Sequence, residues 1–106
     1  MNTKEIRWTD RGLRATQRLM DLVERENLAQ LLKWGIQKHT VAEWSLILNE
    51  EVGELNKELC TLSFETDANR RAAIARQARA EAVQVVTLGM KVIEMLEAEE
   101  GAGDIP

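Results

Sequence analysis

The sequence predicts an all-α protein: a helical hairpin preceded by an N-terminal helix. Three observations carry this. The only proline is Pro106, and between Leu13 and Glu100 the only glycines are Gly35, Gly53 and Gly89, so strong helix breakers are almost absent. Tyrosine is missing, and no stretch alternates apolar and polar residues as a half-buried strand does. Apolar residues recur instead at helical spacing. At 106 residues the chain is one domain of ordinary size with a modest core.

Taken in order, residues 1–9 are polar and are expected to be frayed or strapped to a neighbour through Trp8. Thr9 or Asp10 is the expected cap of a first helix over 12–36, with Leu13, Leu19, Met20, Val23, Leu28, Leu31 and Leu32 among its apolar positions. That pattern slips near Glu26-Asn27, which allows two segments or a bend. Lys33 to His39, with Gly35 inside it, reads as a short polar connection. Thr40-Val41-Ala42-Glu43 has the form of a capping box and opens a second helix over 41–62. Ser63 to Asp67 is a tight connection with Thr66 or Asp67 as the next cap. A third helix then covers 68–98, and the tail 99–106 is expected to be flexible.

Composition excludes several classes. The formal charge is −4 and no basic run exists, so a nucleic-acid polymer is not the expected partner. No apolar stretch approaches the length of a membrane span. Met1 to Asp10 carries Lys4, Glu5, Arg7 and Asp10 and no apolar core, so it is not read as a secretion signal. A single cysteine, Cys60, rules out an internal disulfide and fits a reducing cytoplasm.

Chemistry concentrates on the second and third helices. Glu50, Glu51 and Glu54 stand at i, i+1 and i+4. On a helical wheel Glu51 falls within an apolar arc, between Ile47 on one side and Trp44, Leu48, Val52, Leu55, Leu59 and Leu62 on the other, with Glu54 at its margin and Glu50 further out. A carboxylate on a buried face costs several kcal/mol unless it is paired, protonated or bound to a metal. The third helix repeats the pattern. Glu81 lies among Ile74, Val85, Leu88, Val92, Met95 and Leu96, with Gln84 one turn on. The short connection makes the two helices antiparallel neighbours. With the turn centred near Glu65, Glu51 and Glu81 differ in height by about 3 Å. Both groups should therefore converge on one pocket, whose hard oxygen donors select Mg²⁺ or Mn²⁺ over zinc. A second apolar patch on the third helix, Val83, Val86, Met90 and Ile93, faces the opposite way. A helix apolar on two sides is buried on two sides, which points to another subunit.

Lys33-Trp34-Gly35-Ile36-Gln37-Lys38-His39, Glu50-Glu51-Val52-Gly53-Glu54-Leu55 and Glu81-Ala82-Val83-Gln84-Val85 together resemble the MazG-like all-α nucleoside triphosphate pyrophosphohydrolases, over about residues 24–97. The family pattern is EExxE followed on the next long helix by ExxD; the chain departs from it at Gln84, which stands at the aspartate position. The resemblance implies Mg²⁺-dependent hydrolysis of a (deoxy)nucleoside triphosphate to the monophosphate and pyrophosphate. It implies Glu51, Glu54 and Glu81 as metal ligands, with Gln84 as a neutral donor. Glu50 would be a ligand or would orient the attacking water. Trp34, Gln37 and His39 match the segment beside the base and sugar; in this chain Lys33, Lys38, Arg76 and Arg79 are the candidate phosphate contacts. It implies a homodimer or homotetramer built on four-helix bundles. Two other readings fit the same residues: a nucleotide- or metal-binding module of this fold with little turnover, and a helical assembly protein without small-molecule chemistry. A di-iron bundle fits poorly, since His39 is the only histidine.

Overall fold

The computed structural model describes the backbone of residues 3–104 and the side chains of residues 16–101. Among the described residues it contains helices and no strand: α1 (Thr3–Trp34), α2 (Val41–Phe64) and α3 (Ala68–Asp104). The helices fall into two units, α1 up to Gly35 and the α2–α3 hairpin from Ile36 onward.

α1 is longer than expected and unbroken. It passes through Thr9 and Asp10, which therefore do not cap it, and it does not divide at Glu26-Asn27. No proline or glycine lies between Thr3 and Asp10, so extending the helix costs only a few tenths of a kcal/mol per residue, whereas a new nucleus is costly. The Trp8 side chain, expected to strap this segment to a neighbour, lies outside the described residues. The helix stops at Gly35, whose φ of 71° is the left-handed conformation a glycine adopts without a Cβ penalty. The Gly35 amide donates to Leu31 O at 2.8 Å, and Lys33 adds a cation to the last turn.

α2 begins with the capping box. The Thr40 amide donates to Glu43 Oε1 at 2.8 Å and the Glu43 amide donates to Thr40 Oγ1 at 3.1 Å. Hydrogen bonding from the Thr40 backbone and then from its side chain holds the Glu43 carboxyl below its usual 4.5, and His39 adds to the effect. α2 ends two residues later than expected, at Phe64, and Glu65 turns extended with φ −80° and ψ 127°.

The connection is only Glu65 to Asp67. Asp67 caps α3 by accepting from the Arg70 amide at 2.9 Å. Arg71 Nη1 donates to Leu62 O at 2.8 Å and to Glu65 O at 2.7 Å, adding a charged donor at Leu62 O, which also accepts from the Glu65 amide at 3.3 Å, and tying the turn to the start of α3. α3 runs on to Asp104, so residues 99–104 are helical where a flexible tail was expected. Gly101 and Gly103 each cost about 1 kcal/mol relative to alanine, which weakens a helix without ending it. Ile105 and Pro106 lie outside the described residues.

α2 and α3 pack on each other as antiparallel neighbours across this turn. Trp44 and Leu88 are both buried, and each stands 22 residues from Thr66. Glu51 and Glu81 each stand 15 residues from it. The hairpin is thus centred one residue later than expected, which brings the two glutamates level. Ala78 and Thr87 are buried on α3 as well. Leu59 and Leu96, placed on the apolar arcs by the sequence, remain 46% and 48% exposed. Both sit toward the edges of those arcs, where a two-helix contact does not reach.

Candidate functional site

Fifteen residues up from the turn, the hairpin brings carboxylates from both helices together. One oxygen each from Glu51, Glu54 and Glu81 lies within 4.8 Å of the other two. Glu51 and Glu81 are partly buried and Glu54 is exposed, in the order of their wheel positions. Glu81 Oε1 accepts from Gln77 Nε2 at 3.2 Å, whereas Oε2 is buried without a hydrogen-bond partner. Glu51 Oε2 is buried too.

Such a group is self-repelling. Two unit charges about 5 Å apart repel by on the order of 3 kcal/mol at an effective dielectric constant near 20, less where Glu54 meets water. The donor set fits a hard divalent cation. Oxygens on opposite sides of a Mg²⁺ shell stand about 4.2 Å apart, so carboxylate oxygens within 4.8 Å need only small rotamer adjustments to share one ion. Three carboxylates without nitrogen or sulfur are the ligands that Mg²⁺ and Mn²⁺ favour.

The other predicted site residues are placed unevenly. Glu50 is exposed and outside the trio. Gln84 is partly buried on α3, one turn beyond Glu81. Gln37 and His39 are partly buried and Lys38 is exposed, in the segment leading into α2. His39 stands edge-on to Trp44, ring centroids 4.8 Å apart at 89°, with Nε2 buried and without a hydrogen-bond partner. Trp44 shares the Glu51 face of α2 about two turns away, roughly 10 Å along the axis. Trp34 belongs to the α1 unit, 56% exposed, with Lys33 Nζ 4.6 Å from its ring centroid.

Gln77 was not singled out from the sequence. Its signal was present: it stands four residues before Glu81, where a glutamine and a carboxylate share a helix face. The contact of His39 with Trp44 joins the residue before the N-cap to the fourth helical residue, the spacing of a staple, a signal the sequence carries beside its capping box.

Comparison of the chain with known family models, with curated proteins and with solved structures finds no match in any of the three.

Proposed function

We propose that the chain is a Mg²⁺-dependent nucleoside triphosphate pyrophosphohydrolase, acting as a homodimer or homotetramer in a reducing cytoplasm. The observation that carries this reading is the convergence of Glu51, Glu54 and Glu81, with the buried Oε2 of Glu81 lacking any hydrogen-bond donor. The motif resemblance across α2 and α3 supplies the reaction class.

Glu51, Glu54 and Glu81 hold the cation, with the Gln84 amide oxygen as a neutral donor. When bound, Mg²⁺ neutralises the triphosphate and lowers the pKa of coordinated water. The remaining work falls to this chain. Gln77 fixes the Glu81 carboxylate through Oε1 and leaves Oε2 for the metal. Glu50, exposed at the rim, orients the attacking water and takes its proton. The water oxygen bonds to the α-phosphorus, the bond from that phosphorus to the bridging oxygen breaks, and pyrophosphate leaves with the bond's electron pair. Gln37 and His39 border the base and sugar, and Lys38 meets phosphate.

The test is pyrophosphate release from a panel of dNTPs and NTPs with Mg²⁺ or Mn²⁺. Glu51→Gln and Glu81→Gln should each abolish it; activity surviving both changes would overturn the assigned site. A second reading, a binding module with little turnover, is favoured by Gln84, which brings no negative charge. Calorimetry with a non-hydrolysable dNTP separates the two, since binding without turnover supports the second.

A further inference from the structure

α3 presents a second face that the hairpin leaves open. Arg79, Val83, Val86, Met90, Ile93 and Glu97 recur at spacings of 4, 3, 4, 3 and 4 residues, the alternation of a coiled-coil seam. Val86 is 50% exposed, Met90 38% and Ile93 58%, with Arg79 and Glu97 exposed at the two ends. Charge along α3 is divided. Residues 68–80 contain Arg70, Arg71, Arg76 and Arg79 and no acidic residue, whereas residues 94–104 contain Glu94, Glu97, Glu99, Glu100 and Asp104 and no basic one.

We infer that this face binds the same face of a second copy of the chain, with the two α3 helices antiparallel about a twofold axis at Leu88. The charge pattern selects the occupant. A seam that is basic at one end, apolar in the middle and acidic at the other is complementary to itself only when reversed. The register follows from the same residues. Arg79 faces Glu97, Val83 faces Ile93 and Val86 faces Met90 across the axis, and every pair is symmetric about position 88. The next pair outward, Arg76 with Glu100, keeps that symmetry and is again of opposite charge. A parallel pair would set Arg79 against Arg79 and Glu97 against Glu97. The inference rests on the oligomeric part of the reading above and supplies its interface; the metal site does not depend on it.

The test uses the full chain in sedimentation equilibrium, with circular dichroism confirming helicity of each variant. Arg79→Glu and Glu97→Arg should each weaken the dimer roughly tenfold or more, since each places two like-charged pairs across the axis. Arg79→Glu with Glu97→Arg in one chain should restore the affinity to within a few fold. Val86→Glu should give a helical monomer. Spin labels placed singly at Ala80 and Ala73 in a Cys60→Ser background should lie about 24 Å and about 45 Å from their counterparts, and near-equal short distances would mean a parallel pair. A charge swap that fails to restore affinity overturns the register. A dimer indifferent to Val86→Glu overturns the interface and leaves an oligomer formed elsewhere, and a chain monomeric at every concentration overturns the interface and the oligomer together.

Discussion

Glu81 has two unlike oxygens: Gln77 holds Oε1, while Oε2 is buried without a donor, and one of the two stands within 4.8 Å of an oxygen of Glu51 and one of Glu54. The repulsion this maintains predicts opposite effects with and without metal. In chelator, Glu81→Gln removes one negative charge from the cluster and should raise the melting temperature or leave it unchanged. With Mg²⁺ at 100 times its Kd the unaltered chain should gain about 2.7 kcal/mol and the variant little. Thermal melts in both conditions check this, and a variant stabilised by Mg²⁺ as much as the unaltered chain would sink the metal assignment. Gln84→Asp adds a charge one turn from Glu81 and should tighten Mg²⁺ binding by calorimetry, at some loss of stability without metal. The glutamate positions were legible because a charged residue in an apolar arc stands out at a period of 3.6. Gln77 was not, because a glutamine on a helix face gives no such contrast.

The boundaries of α2 rest on local chemistry that can be removed piece by piece. Thr40→Ala leaves the Glu43 amide without its acceptor and should cost about 1 kcal/mol, read by denaturant unfolding. The same box carries a pH signature. The Glu43 carboxyl is held below its usual 4.5 in the folded chain, so its contribution is fully present above that value and is lost as pH falls through the lower folded one. Melts between about pH 5 and pH 3 should therefore show a shallower loss of stability for Glu43→Gln, which cannot titrate; an unchanged slope would mean that the Glu43 carboxylate contributes nothing to the box. Caps of this kind explain which ends could be read in advance. Thr40, Gly35 and Asp67 act through their own side chain or φ, and the sequence announces them. The far ends of α1 and α3 have no such marker. There a helix already formed simply continues through residues of indifferent propensity, and composition misread them as frayed or flexible.

At the scale of the whole chain, the hairpin and the level glutamates follow from a short connection and two apolar arcs, both visible in the sequence. What covers the remaining apolar surface is not, since periodicity names a face without naming its partner. The core is small: among the described residues only Val23, Trp44, Ala78 and Leu88 are buried hydrophobics, while Val86, Ile93, Leu46 and Phe64 are at least half exposed. A chain with so little internal burial should draw part of its stability from association. Its melting midpoint should then rise with protein concentration, because each tenfold increase favours the folded dimer by about 1.4 kcal/mol. Val86→Glu should remove that dependence and lower the midpoint to a concentration-independent value. Calorimetric scans over a hundredfold range of concentration distinguish the cases, and a midpoint that stays constant for the unaltered chain would show that the hairpin and α1 are stable without a second copy.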